Sequence, residues 1–134
     1  MQPPEMKSPR LLIVDDHEIF RRGLRALLEP SSEWHICGEA VDGLDAIEQC
    51  KSLNPDIVVL DVSMPRLNGL EAARVIKKEK PDSRIVIITQ HDSPQIRSAA
   101  LEAGAQAFVT KSAVGSELVT ALRKLIQDHG GNSQ

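Results

Sequence analysis

The stretch VVLDVSMP, residues 58–65, ends an apolar run on a charged residue, Asp61. A second stretch, LLIVDDHE at residues 11–18, repeats this arrangement, because four apolar residues precede Asp15 and Asp16. Short apolar runs without polar alternation are typical of strands that are covered on both faces, as in a parallel sheet. The two stretches therefore predict two buried strands that each end on acidic residues.

Similar runs recur along the chain and alternate with helical patterns. Further strands are predicted at residues 85–88, at residues 107–109, and at residues 36–37 with 40–41. Between the runs, apolar residues are spaced by three and four positions, which is typical of amphipathic helices. The helical positions are Phe20, Leu24, Leu27 and Leu28; Ala46, Cys50 and Leu53; Leu70, Ala73 and Ile76; Ile96, Ala99, Ala100 and Ala103; and Leu118, Leu122, Leu125 and Ile126.

This alternation of strands and helices predicts an α/β fold with a parallel sheet. Right-handed crossovers leave few arrangements, and the common one is the doubly wound, flavodoxin-like strand order 2-1-3-4-5 with five helices. We expect this domain to occupy residues 10–128, after a disordered tail at residues 1–9. Residues 129–134, which are polar and contain two glycines, are predicted to form a flexible tail or the start of a linker.

Composition and charge narrow the classes of function. The 134 residues suit one domain, and 16 basic against 19 acidic side chains give a formal net charge of -3, which does not indicate a nucleic-acid surface. Cys37 and Cys50 lack the spacing of a metal or redox motif and are predicted to be buried thiols of a reducing compartment. No apolar run approaches the length of a membrane span, so we expect a cytoplasmic protein without membrane contact.

Three acids, a hydroxyl and an ammonium are predicted to meet at one edge of the sheet. Asp15 and Asp16 follow strand 1, Asp61 ends strand 3, Thr89 ends strand 4 and Lys111 follows strand 5. Each has an ordinary alternative role, such as Asp16 as a helix N-cap, but in this fold the carboxyl ends of the strands form the ligand site.

Clustered carboxylates repel one another unless a cation joins them, and a set of oxygen ligands suits Mg²⁺ or Mn²⁺. A carboxylate placed beside such an ion can act as a nucleophile towards a phosphoryl group. Lys111 and Thr89 would then supply a positive charge and a hydroxyl to the phosphoryl oxygens.

Together these residues resemble the receiver domains of two-component response regulators, a CheY-like fold, over residues from about 10 to 128. The resemblance implies that Asp61 is the phosphoacceptor, with Thr89 and Lys111 contacting the phosphoryl group. It also implies that Asp16 binds the metal directly, Asp15 through a water molecule, and Ser63 through its backbone carbonyl.

Further positions extend the resemblance. Phe108, three residues before Lys111, corresponds to the aromatic residue that turns inward when the Thr89 hydroxyl moves towards the phosphoryl group. Met64-Pro65 and Gly69 are similar to the turn that follows the acceptor in this family. The stretches VDDHEIFRRGLRALL, residues 14–28, and GEAVDGLDAI, residues 38–47, resemble the NarL/FixJ subgroup, whose output domains are of the LuxR type.

The resemblance implies a sensor histidine kinase as phosphoryl donor, a phosphorylation-dependent homodimer and a role in transcription regulation. DNA binding would require an output domain that this sequence does not contain. The chain is not expected to be an enzyme beyond its own phosphorylation and dephosphorylation.

Two residues depart from the family pattern. Gln90 follows Thr89 where a small residue is usual, and we predict that its long side chain slows self-dephosphorylation. Ser112 follows Lys111 where many members have a proline in a cis peptide, which leaves the isomer of this bond open.

Three other functions share parts of this residue pattern. An aspartyl phosphatase of the haloacid dehalogenase type needs a second acid two residues after the nucleophile, where this chain has Ser63. A nucleotide- or flavin-binding module is disfavoured because no glycine-rich phosphate loop follows strand 1. A pseudo-receiver, which uses the fold for protein contacts without phosphorylation, usually lacks one of the acids or the lysine.

Overall fold

A computed structural model describes residues 8–62 and 68–131, with side chains up to residue 127. The strands are β1 (Arg10–Val14), β2 (His35–Ala40), β3 (Ile57–Asp61), β4 (Arg84–Thr89) and β5 (Ala107–Thr110). The helices are α1 (Glu18–Leu28), α2 (Gly43–Leu53), α3 (Gly69–Glu79), α4 (Pro94–Glu102) and α5 (Val119–Gly131). A 3₁₀ turn at Lys111–Ala113 and a π-helical turn at Val114–Leu118 connect β5 to α5.

All strand pairs are parallel and the strand order is 2-1-3-4-5, which confirms the predicted topology. The two faces of the sheet carry separate apolar clusters. One face packs on α2, α3 and α4, and the other on α1 and α5. Every residue of β3 is buried, because this central strand is covered on both faces. The sheet is therefore a rigid base for the groups at its carboxyl edge.

The helix starts follow the expected local chemistry at three of the five helices. Asp42, Asn68 and Ser93 each accept a hydrogen bond from a backbone N–H of the first turn of α2, α3 and α4. At α1 the cap position is His17, whose side chain makes no cap hydrogen bond. The alternative role of Asp16 as the N-cap of α1 is therefore wrong, and its carboxylate is available to the site.

The ends of the described domain reach slightly beyond the predicted boundaries. Pro9 accepts a hydrogen bond from His35 N (2.8 Å), and the Ser8 hydroxyl donates to the Ser32 carbonyl (3.1 Å), so these two residues are attached to the fold. At the other end, α5 continues to Gly131, three residues past the predicted boundary.

Three smaller expectations concern one peptide bond, the two cysteines and the absence of a membrane span. No peptide bond in the described part of the chain is cis, so the Lys111–Ser112 bond is trans. Cys50 is buried, and burial raises the pKa of its thiol to about 12, whereas Cys37 is only partly buried. Within the described ranges, no helix is both long and apolar enough to cross a lipid bilayer.

Candidate phosphoryl and metal site

The functional side chains are brought together by the register of the sheet. Val14 of β1 pairs with Leu60 of β3, so the next residues in each strand, Asp15 and Asp61, lie side by side. Asp61 in turn pairs with Ile88, which sets Thr89 one position further along the same edge. Asp15, Asp61 and Thr89 are all buried. The strand order and register therefore place these residues together at the carboxyl edge of the sheet, as predicted.

Four residues form an acidic cluster at this edge: Asp15, Asp16, His17 and Asp61. Each offers one oxygen or nitrogen atom, and these atoms all lie within 4.8 Å of one another. The carboxylate of Asp15 is fixed by the start of α1, because its Oδ1 accepts a hydrogen bond from the backbone N–H of His17 (2.8 Å). The cluster has the size and the oxygen-rich donor set that a small divalent cation requires.

Lys111 supplies the positive charge within the cluster. Its Nζ lies 3.2 Å from Asp15 Oδ2 and 3.7 Å from Asp61 Oδ1, and the side chain is 15% exposed. The same ammonium stands 4.4 Å from the centre of the Phe20 ring, which holds it by a cation–π contact. Lys111 therefore offsets part of the repulsion between the buried acids and lies where a phosphoryl oxygen on Asp61 would need a cation.

Two oxygens of the cluster fit the expectation of a metal ion. Asp15 Oδ2 and Asp16 Oδ1 are buried and accept no hydrogen bond of regular geometry from the described residues, although Lys111 Nζ lies 3.2 Å from the first and His17 Nδ1 lies 3.3 Å from the second. Buried carboxylate oxygens normally have hydrogen bonds or bind an ion, since their desolvation is otherwise costly. The Asp cluster could therefore hold Mg²⁺.

Thr89 lies at the edge, but its hydroxyl is engaged within its own loop. Its Oγ1 donates to the carbonyl oxygen of His91 (3.1 Å) and accepts from the His91 backbone N–H (3.3 Å). For Thr89 to contact a phosphoryl group on Asp61, its two hydrogen bonds with His91 would have to break. The loop after β4 is therefore coupled to the position of this hydroxyl.

Phe108 is half-buried against the apolar cluster beneath α4. The guanidinium of Arg97 lies 4.6 Å from the centre of its ring and is anchored by two hydrogen bonds to Asp92, at 2.7 and 3.0 Å. These hydrogen bonds also lower the pKa of Asp92. Arg97 thus connects the loop after β4, α4 and the aromatic ring, a connection that the sequence pattern did not reveal.

Ser63, the predicted backbone ligand, and Met64-Pro65 lie outside the described residues. Gly69, in contrast, has a clear role. It begins α3 and donates its N–H to the Val62 carbonyl (2.9 Å), and a Cβ at this position would lie 2.0 Å from the carbonyl oxygen of Asp61. The chain can therefore turn directly behind Asp61 only because residue 69 has no side chain.

His17 is the site residue that sequence reasoning missed. The residue pattern of the sequence assigns it no role, yet its Nδ1 lies 3.2 Å from Asp15 Oδ1, 3.3 Å from Asp16 Oδ1 and 3.5 Å from Lys111 Nζ. The signal in the sequence was its position directly after the acid pair. What it did not reveal was the direction of the ring, which depends on where α1 begins.

Comparison with known proteins agrees with this geometry. The model of the response regulator receiver domain family matches residues 11–123. The chain is 37% identical over 115 residues to the response regulator UvrY of Escherichia coli, an alignment that covers 86% of this chain and 53% of UvrY. It therefore spans about half the length of the curated relatives it matches.

Solved structures support the same assignment. The receiver domain of the putative response regulator NarL from Mycobacterium tuberculosis superposes with a TM-score of 0.85 at 33% identity, covering 90% of this chain and 98% of that one. A LuxR-family response regulator from an Aurantimonas species gives 0.84 at 38% identity, covering 89% and 85%. The chain belongs to the response regulator receiver domain family of two-component signalling systems, and its relatives are consistent with the NarL/FixJ type.

Proposed function

We propose that Asp61 is the residue that accepts the phosphoryl group in this receiver domain. The observation that carries the proposal is the position of its carboxylate, which lies at the buried end of the central strand, 3.7 Å from Lys111 Nζ and within the acidic cluster. A carboxylate here is fixed by the sheet and faces both a cation and further oxygen ligands. No other acid in the cluster lies on the central strand of the sheet.

In the proposed reaction, an Asp61 oxygen attacks the phosphorus of a phosphohistidine on a sensor kinase. The new O–P bond forms as the P–N bond breaks, and the histidine ring leaves with the electron pair of that bond. Hydrolysis of the acyl phosphate by water later returns the carboxylate and inorganic phosphate. The chain contributes positioning and charge rather than covalent chemistry on any other side chain.

The remaining groups hold the transferred phosphoryl group. Lys111 balances the charge of its oxygens, and Thr89 donates its hydroxyl once it has left His91. We assign Asp16 and Asp61 as direct ligands of Mg²⁺ or Mn²⁺, Asp15 as a ligand through water, and the Ser63 carbonyl as a further ligand. When bound, the divalent ion supplies positive charge that offsets the repulsion between these acids and the phosphoryl oxygens.

The response to phosphorylation is a shift between two states of the edge beside α4. Movement of the Thr89 hydroxyl towards the phosphoryl group breaks its contacts with His91 and loosens the loop that carries Asp92. Phe108 then turns inward and loses its contact with the guanidinium of Arg97. We propose that the surface formed by α4, the loop before it and Phe108 transmits this change. It would regulate a phosphorylation-dependent homodimer or a DNA-binding output domain of a longer cytoplasmic protein, in line with the LuxR-type relatives.

Intact-mass spectrometry after incubation with acetyl phosphate tests the assignment of Asp61. We expect one added phosphoryl group that requires Mg²⁺ and is absent from Asp61→Asn. Asp56→Asn is the matched control, because Asp56 precedes the same strand at its opposite end, and this variant should still be phosphorylated. An adduct on Asp61→Asn, or none on the unaltered chain in the presence of Mg²⁺, would contradict the proposal.

A further inference from the structure

His17 stands at the mouth of the acidic site and directs a nitrogen into it. Its side chain is 61% exposed, yet Nδ1 lies 3.2 Å from Asp15 Oδ1 and 3.3 Å from Asp16 Oδ1. The ring makes no cap hydrogen bond to α1, although the residue occupies the cap position. The ring is therefore directed by its contacts with these two acids, of which the one to Asp15 Oδ1 is a hydrogen bond, and not by a hydrogen bond that caps α1.

The spacing of these atoms suits shared coordination of one ion. Around an octahedral divalent ion with bonds of about 2.1 Å, adjacent donor atoms lie roughly 3 Å apart and opposite ones roughly 4.2 Å apart. The distance from Nδ1 to Asp16 Oδ1 is close to the spacing of adjacent donors, and the full set with Asp15 and Asp61 lies within 4.8 Å. A small contraction of the cluster would bring Asp16, His17 and Asp61 to one ion, with Asp15 reaching it through a water molecule.

Lys111 Nζ lies 3.5 Å from the same nitrogen and 3.2 Å from Asp15 Oδ2. A positive charge is therefore already accommodated beside Nδ1. A neutral imidazole has a nitrogen lone pair that can coordinate a cation, and it adds no negative charge to that of the three acids.

An imidazole ligand changes which ion a site prefers. Sites made of carboxylates, carbonyls and water suit Mg²⁺, whereas nitrogen ligands favour the later first-row transition ions. We propose that His17 Nδ1 is a direct ligand of the metal site and that it shifts the site's preference from Mg²⁺ towards ions such as Co²⁺. This inference rests on the proposed function in that it takes the acidic cluster to be the metal site.

The test compares the dissociation constants of Mg²⁺ and Co²⁺ in the unaltered chain, in His17→Gln and in His35→Gln, by isothermal titration calorimetry. His35 is an exposed histidine at the start of β2, at the far end of the sheet, and serves as the matched control. The ratio of the Mg²⁺ constant to the Co²⁺ constant should fall by about tenfold or more in His17→Gln and stay unchanged in His35→Gln. The visible absorption spectrum of bound Co²⁺ should change in His17→Gln alone.

An unchanged ratio in His17→Gln would overturn the proposal. So would an equal loss of affinity for both ions, because that result would mean that His17 only positions Asp15 and Asp16. Phosphorylation with Mg²⁺ is measured on the same samples to separate this inference from the proposed function. A phosphorylated chain with an unchanged ratio refutes only the role of His17, whereas a chain that binds neither ion and takes no phosphoryl group refutes both.

Discussion

The ammonium nitrogen of Lys111 lies 3.2 Å from Oδ2 of Asp15, although β3 and β4 separate the strands that carry the two residues. The Asp15 side chain is only 1% exposed. A carboxylate so deeply buried needs a cation nearby, and Lys111 provides one in the protein without metal. We propose that the same ammonium stabilises the resting protein and binds the phosphoryl group of the phosphorylated protein.

Lys111→Met should destabilise the protein in the absence of divalent ions. Removing one partner leaves the charges of Asp15 and Asp61 uncompensated, and we expect the free energy of unfolding to fall by about 3 kcal/mol. Added Mg²⁺ should restore part of this loss and should bind more tightly than to the unaltered chain, because no ammonium competes with it. Urea denaturation with and without Mg²⁺ measures both effects.

Lys124→Met is the control for that experiment, since Lys124 is an exposed lysine of α5. Its free energy of unfolding should change little with or without Mg²⁺. Equal stability of the two variants would show that the contact between Lys111 and the acids contributes nothing to the fold.

Gly69→Ala should damage both the fold and the acceptor. The added Cβ would lie 2.0 Å from the Asp61 carbonyl oxygen, so the backbone must move at the acceptor itself. We expect a loss of about 1–3 kcal/mol in the free energy of unfolding, together with slower phosphorylation by acetyl phosphate. Gly23→Ala is the contrast, because nothing lies within 4 Å of its added Cβ and it is interior to α1. That variant should gain about 0.5–1 kcal/mol, and equal effects of the two substitutions would contradict the steric argument.

Arg97→Gln should shift the resting position of Phe108. The chain contains two phenylalanines, so 4-fluorophenylalanine gives two ¹⁹F resonances, one from Phe108 and one from Phe20. Loss of a cation–π contact of about 0.5–1 kcal/mol should raise the population of the inward ring roughly two- to fivefold. The Phe108 resonance of the unphosphorylated variant should therefore move towards its position in the phosphorylated protein.

The Phe20 resonance provides the internal control, because Arg97→Gln leaves the contact between Phe20 and Lys111 intact. It should be unchanged by this substitution and should shift on phosphorylation, when Lys111 turns to the phosphoryl group. If Phe108 does not respond to Arg97→Gln, then Arg97 does not restrain the switch.

Gln90→Ala should shorten the lifetime of the phosphorylated state. Gln90 directly follows Thr89 and is exposed, and we expect its long side chain to obstruct an attacking water. We expect hydrolysis to be several-fold faster, as measured by the decay of the phosphorylated mass after removal of acetyl phosphate. Gln95→Ala, an exposed glutamine of α4, should decay at the original rate. An unchanged or longer lifetime in Gln90→Ala would contradict this prediction.

The sequence by itself determined the fold and which residues gather at the carboxyl edge of the sheet. Apolar runs such as residues 57–60 without polar alternation occur in strands buried on both faces, and the short joints between strands and helices restrict them to parallel pairing. Once the strand order is 2-1-3-4-5, the acids that end β1 and β3 must be neighbours. These results depend on periodicity and connectivity, which a sequence displays directly.

Only the tertiary structure decided the directions of the side chains. The orientation of His17 follows from the start of α1 at Glu18, and the contact of Arg97 with Phe108 follows from the packing of α4 beside β5. The need for glycine at position 69 arises because α3 begins directly behind the Asp61 carbonyl. Such contacts depend on distances of a few ångströms between elements that are remote in sequence, and no local pattern of residues specifies them.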